Sequence, residues 1–188
     1  MADQLNVLVI CGSLRKKSYN AALARALPGL APPEMKFTDA PSFAGFPIYN
    51  DDTRVGSGPP ADVVAWNDAI HAADGVIIVS PEFNWSIPGG LKNAIDWVSK
   101  LPDQPFKDKP VAIQSASTGQ MGGGRMQYHL RMALGTLDAL VLGKPEIFIN
   151  FAAKKFDEKT LELTDQPTKD IVKLQLENFA KFIRRMKV

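Results

Sequence analysis

Val76-Ile77-Ile78-Val79 is apolar at every position. A strand with one wet face alternates apolar and polar residues, whereas an unbroken β-branched run belongs to a strand covered on both faces. Two more such runs occur, Leu5-Asn6-Val7-Leu8-Val9-Ile10-Cys11 and Pro110-Val111-Ala112-Ile113-Gln114-Ser115-Ala116. Each is followed by a polar loop and then by helix formers. This alternation argues for an α/β chain with a parallel, doubly wound sheet. Met35-Lys36-Phe37-Thr38 supplies a shorter strand. Leu140-Val141-Leu142 and Glu146-Ile147-Phe148-Ile149 supply the last, broken by Gly143-Lys144-Pro145. Five strands suit the order 2-1-3-4-5 in a single domain over residues 1–188, with a ligand at the carboxyl ends of strands one, three and four.

Helices are predicted over Ala21–Leu27, stopping at Pro28-Gly29, and over Ala61–Ala73, Pro88–Lys100 and Arg125–Leu137. A closing helix from about Thr168 carries Ile171, Leu174, Phe179, Phe182, Ile183 and Met186 as its apolar stripe. Residues 39–60 are rich in Pro, Gly, Asp and Ser, and read as a long surface loop that is either functional or a mobile connection. Residues 150–167 read as an irregular polar connection.

Composition narrows the function. Lys+Arg 22 against Asp+Glu 20 leaves +2, too balanced for a nucleic-acid or anionic-membrane partner. The basic residues near the end complement a helix C-terminus. One cysteine forms no internal disulfide, Met1–Gln4 do not begin a secretion signal, and no apolar run is long enough to cross a bilayer. The expected compartment is the cytoplasm.

Three loops carry the chemistry. The first runs from Gly12 through Ser13-Leu14-Arg15-Lys16-Lys17-Ser18-Tyr19-Asn20 into a helix. Hydroxyls, an amide, a forked cation and helix N-terminal N–H groups suit a phosphate. A hydroxyl-rich helix cap is the competing account. Gly12 is followed by no G-x-x-G, and no G-x-x-x-x-G-K-[ST] occurs, which disfavours dinucleotide Rossmann and nucleoside-triphosphatase sites. In the second, Pro81-Glu82-Phe83-Asn84-Trp85, Pro81 ends a strand and Pro88 opens a helix. It offers hydrogen bonds and rings for a planar heterocycle, or else a plug at a domain edge or subunit contact. Glu82 has no paired carboxylate and is assigned a structural or hydrogen-bonding role. The third, Ser117-Thr118-Gly119 through Gly122-Gly123-Gly124, allows either close backbone approach to a ligand or a flexible turn. Cys11, Trp66 and Trp97 are assigned to packing; His71 and His129 lack metal-ligand spacing, and no Ser-His-acid set is legible.

One phosphate and one planar heterocycle on this architecture describe FMN. Gly12, Ser13, Arg15, Ser18 and Asn20 match G-S-x-R-x-x-S-x-N, and Pro81 to Trp97 match P-E-Y-N-x-S-x-P-G-x-L-K-N-x-I-D-W. On these motifs the chain resembles the NAD(P)H-dependent FMN reductases, and Gly123–Arg131 resembles their bacterial chromate/quinone reductase branch. The resemblance implies a flavodoxin-like fold, bound FMN, NAD(P)H as co-substrate, and small-molecule acceptors such as quinones, free flavin, chromate or azo dyes, reduced by a ping-pong mechanism with no catalytic acid or nucleophile required. It implies that Ser13 to Asn20 hold the phosphate and ribityl chain, that Glu82 to Trp85 edge the isoalloxazine, and that Ser117 to Gly119 close the third side. Phe83 departs from the motif tyrosine, keeping the ring and losing a hydroxyl. The resemblance also implies dimers or tetramers, with Arg125, Tyr128 and Glu146 as candidates for a polar network between subunits or for ordinary ion pairs. A flavodoxin-type electron carrier is the alternative function, and a domain that has lost its cofactor a weaker one.

Overall fold

Four parallel strands and a broken fifth form the sheet: β1 Leu5–Cys11, β2 Met35–Asp39, β3 Gly75–Val79, β4 Pro110–Ala116, β5 Leu140–Val141 and β6 Ile147–Ile149. The computed structural model describes residues 4–187; Met1–Asp3, in the segment read as lacking a secretion signal, and Val188 lie outside the described residues. The order is β2-β1-β3-β4-β5, with β6 also on β4. Val111 pairs with Val141 and Gln114 with Ile147, offsets of 30 and 33, so the fifth strand carries three residues more than the ladder needs. Gly143-Lys144-Pro145 lie in that interruption, where Pro145 has no N–H to offer a ladder.

Every residue of β3 and β4 is buried. Successive strand residues point to opposite faces. Leu5, Val7, Val9, Ile77, Val79 and Ala112 pack with α1 (Tyr19–Leu30) and α6 (Gln166–Met186). Leu8, Ile10, Val76, Ile78, Val111 and Ile113 pack with α3 (Ala61–Ala72), α4 (Gly89–Val98) and α5 (Gly124–Gly135). Each fully buried aliphatic side chain contributes about 1.5–3 kcal/mol, so the central strands bind both helix layers firmly. No described helix is long and apolar enough to cross a membrane.

Three expectations are corrected. The first helix does not stop at Pro28-Gly29 but runs to Leu30. Pro28 falls in its last turn, where it removes a single i to i−4 bond, while Leu27 and Leu30 on either side still pack on the core. The stripe of α6 is displaced: Val172, Leu176, Phe179 and Ile183 face inward, whereas Ile171, Leu174 and Met186 are exposed. That face also carries the buried Gln175, whose oxygen accepts from Gln114 Nε2 (2.9 Å) and whose nitrogen donates to Pro145 O (2.7 Å). Residues 39–60 are not a loose loop. They contain α2 (Asp51–Gly56), and Phe43 and Phe46 sit edge-on to the buried Trp66 at 6.5 and 6.2 Å. The carbonyl of Pro47 accepts from Trp97 Nε1 (2.7 Å) and Asn93 Nδ2 (2.9 Å), and the Asn93 oxygen accepts from Tyr49 N–H (2.8 Å). Asn93 and Trp97 of the second motif thus fasten this segment to α4.

Phe46→Ala is expected to cost about 3 kcal/mol in urea unfolding, as for a core aromatic; a loss below about 0.5 kcal/mol, as for surface sites, would return the segment to a loose loop. Asp165 caps α6, and the Thr168 hydroxyl and N–H that donate to it hold its carboxyl below the usual range. Its stabilisation is therefore present above the unfolded value of about 3.9 and is lost as pH falls through the lower folded value. Asp165→Ala is expected to lower the melting temperature at neutral pH, with the difference from the parent shrinking below pH about 4.

Candidate functional site

The first loop starts from a close approach. A Cβ on Gly12 would lie 2.3 Å from Ser80 Oγ, so only glycine lets the end of β1 pass the end of β3. Ser18 then caps α1, its hydroxyl accepting from the N–H groups of Asn20 (3.2 Å) and Ala21 (3.3 Å), which realises the capping role weighed for this loop. Asn20 is buried, and its amide is committed to β4: it donates to Ala116 O (2.9 Å) and accepts from Ala116 N–H (2.8 Å). Tyr19 packs on Phe156 with ring centroids 5.3 Å apart. Arg15 has no ion-pair partner among the described residues, and Ser13 Oγ accepts its backbone N–H (3.4 Å).

The second loop is a hairpin. Phe83 and Ser86 exchange backbone hydrogen bonds of 3.0 and 2.9 Å around Asn84 (φ 48°) and Trp85 (φ 67°). Two central residues with positive φ make a type I′ turn, which favours Asn-Gly. Asn tolerates this region, but a tryptophan there is strained. Arg125 lies over the Trp85 ring at 4.5 Å and 3.7 Å from Glu82, and stacking of this kind offsets part of the cost. Glu82 accepts from Met126 N–H (3.1 Å) in the first turn of α5, where a carboxylate complements the helix dipole. Ser86 Oγ lies 3.0 Å from His129 Nδ1. The sequence pointed to neither contact of Arg125 nor to His129 as a support, although their i, i+4 spacing on one helix face was the available signal.

The third loop packs against its own chain. Gly122 (φ 58°) and Gly123 (φ 88°) are left-handed, and Cβ atoms there would lie 2.7 Å from Phe148 C and from Ser115 Cβ. Left-handed backbone and close packing together call for glycine at both positions. Ser115 Oγ donates to Gly122 O (2.6 Å) and accepts from Gln127 Nε2 (2.8 Å), anchoring the loop from below. Ser117 Oγ accepts from Gly119 N–H (3.1 Å).

Ser13, Arg15, Ser18, Tyr19, Asn20, Pro81, Glu82, Phe83, Ser117 and Thr118 line one cleft at the carboxyl ends of β1, β3 and β4, together with Ala116. Leu14, Lys16, Lys17, Asn84, Trp85 and Gly119 lie outside that lining and are exposed. The edge of a doubly wound sheet where its order reverses is where ligands bind. A helix N-terminus, the Arg15 guanidinium and hydroxyls at one end suit a phosphate, and the Phe83 ring at the other suits a planar heterocycle, with exposed Trp85 beyond the lining. These residues fit FMN. No group of three or more metal-ligating side chains occurs among the described residues.

Residues 5–154 match the model of the NADPH-dependent FMN reductase family. The chain belongs to that family. It is 50% identical over 188 residues to a quinone reductase of Escherichia coli (strain K12), covering 100% of both chains. It is 43% identical to an NAD(P)H-dependent FMN reductase of Pseudomonas aeruginosa, again covering 100% of both. The solved structure of FerB, a flavoenzyme NAD(P)H:(acceptor) oxidoreductase from Paracoccus denitrificans, superposes with a TM-score of 0.86 at 31% identity, covering 97% of this chain and 98% of that one. The chain is accordingly an oxidoreductase of flavodoxin-like fold that works with FMN and NAD(P)H.

Trp85→Gly creates the Asn-Gly turn, so the melting temperature is expected to hold or rise. The same change is expected to weaken FMN binding about tenfold, or about 1.4 kcal/mol, in a fluorescence-quenching titration. Unchanged affinity would remove Trp85 from the ligand's contacts.

Proposed function

We propose that this protein reduces quinones and related small-molecule acceptors with electrons from NAD(P)H, using FMN held in the three-loop cleft. The observation that carries the reading is the meeting of Ser13–Asn20, Pro81–Trp85 and Ser117–Gly119 at one edge of the sheet. In this reading the α1 N-terminus, Ser13, Ser18 and Arg15 hold the phosphate, with Lys16 and Lys17 adding positive charge nearby. Asn20 acts from behind, keeping α1 against β4 through Ala116. Phe83, Asn84 and Trp85 edge the ring system, and Ser117, Thr118 and Gly119 close the third side. Bound FMN would supply hydride acceptance and donation; the chain supplies position, orientation and electrostatics. Glu82 is bound to Met126 N–H and set beside Arg125, so it positions the hairpin and has no assigned step in proton transfer.

The acceptor class rests on the kinship with a quinone reductase, and chromate belongs to the same proposal as a further acceptor. A homo-oligomer and a cytoplasmic location complete it. Exposed Tyr128 and Met132 on the outer face of α5 are available to a subunit contact, while Glu146 lies nearest Lys144 (3.0 Å) and Arg131 (3.9 Å) within its own chain. The carrier alternative is not favoured, because such carriers are often strongly acidic and this chain is at +2.

The test is an absorbance spectrum of the FMN-loaded protein before and after anaerobic NADPH and NADH. Flavin bands are expected to bleach with at least one donor and return on adding a benzoquinone, with parallel lines in double-reciprocal steady-state plots. Flavin that binds but is bleached by neither donor would make the protein a carrier. Arg15→Ala is expected to weaken FMN about tenfold, or about 1.4 kcal/mol, with the melting temperature of the apoprotein unchanged.

A further inference from the structure

A second cavity, of about 330 Å³, opens at the same sheet edge on the other side of β1, between β2 and α1. That volume lies at the lower end of the range of about 300–1,000 Å³ typical of small-molecule sites. Ser13 lines both this cavity and the cleft above, so the two meet at the first loop. The further walls include Asp39 at the carboxyl end of β2, Arg25 on α1, and the small side chains of Ala21 and Ala24. Neither Asp39 nor Arg25 has an ion-pair partner among the described residues. Cys11 also lines the cavity; burial pushes its thiol up, Asp39 pushes it further and Arg25 opposes, so both charges act on one point.

We propose that this cavity is a nucleotide subsite taking the adenylate portion of a dinucleotide: Asp39 accepts from ribose hydroxyls, Arg25 faces phosphate, and Ala21 and Ala24 offer the base a smooth apolar wall. In Rossmann sheets an acidic side chain downstream of the glycine-rich turn accepts from a ribose hydroxyl; Asp39 would take that part here from the end of β2, without such a turn before it. Other occupants fit less well. An apolar molecule would strip water from two unpaired charges, which is costly without compensating bonds. A divalent cation would find one carboxylate sharing the cavity with a guanidinium, and no cluster of three or more metal-ligating side chains occurs among the described residues. A simple anion would leave Asp39 opposed. Two dinucleotides carry adenylate next to a redox ring, NAD(P)H and FAD, and the inference rests on the proposed flavin chemistry only for which of them supplies it.

The experiment titrates AMP into the FMN-loaded protein by calorimetry, with nicotinamide mononucleotide as the control lacking adenosine. AMP is expected to bind one-to-one, and Asp39→Ala to weaken it at least tenfold while the flavin spectrum stays unchanged. Asp39 is exposed, and Arg25→Ala on a different element serves as the second variant. Cys11 is the single cysteine, so N-ethylmaleimide labelling reports on this cavity alone, and AMP is expected to slow it in the parent and not in Asp39→Ala. An Asp39→Ala rise in the NADPH KM with kcat unchanged assigns the adenylate to the donor; loss of tighter FAD than FMN binding by the apoprotein assigns it to the flavin. AMP that neither binds nor protects Cys11 where NADPH saturates the enzyme overturns the subsite, as does equal AMP affinity in the parent and both variants. Flavin binding is read in the same samples, so failure of FMN to bind counts against the proposed function and failure of AMP alone against this cavity.

Discussion

The two central strands have no face toward water, and the architecture follows from covering them. β3 and β4 are buried at every residue, so helices must lie on both sides of the sheet and each strand must be followed by a crossover. Parallel pairing puts every strand's carboxyl end at one edge, with crossover loops there instead of hairpins. The ligand cleft is a by-product of that geometry.

What turns a loop edge into a defined cleft is a small set of polar ties. Asn20 joins the start of α1 to the last residue of β4 through both of its amide groups. Glu82 joins the second loop to the first turn of α5, and Ser115 with Gln127 joins the third loop to the same turn. Buried side-chain hydrogen bonds of this kind contribute only about 1 kcal/mol each, but leaving any of these groups unpaired costs more. Their effect is therefore on uniqueness of geometry more than on total stability. Gly12 and Gly123 do the complementary work by omission, since a side chain at either would push the loops apart.

The hairpin at Asn84 and Trp85 shows the opposite preference. Its backbone asks for glycine and the chain supplies the largest side chain, which is then held under Arg125. Stacking with Arg125 is the contact that holds this strained side chain in place. Tyrosine in the family pattern is phenylalanine here at position 83, so the ring persists in the lining without a hydroxyl.

Much of this was legible in the chain itself. The unbroken apolar runs set strand type and order, the proline and glycine positions set the loops, and the two long motifs set the family, because each depends on local chemistry within a few residues. The break in the last strand was readable for the same reason. Tertiary structure decided the rest. Phe43 and Phe46 count as core only because Trp66 lies across from them, and Asn93 fastens a segment more than forty residues away. The inward face of α6 accepts Gln175 because Gln114 and the Pro145 carbonyl bond its amide. Asn20 looks like a phosphate donor by type and is a brace by position. In each case the side chain's role is set by a partner distant in sequence, and polarity alone does not distinguish a group aimed at a ligand from one aimed at its own backbone.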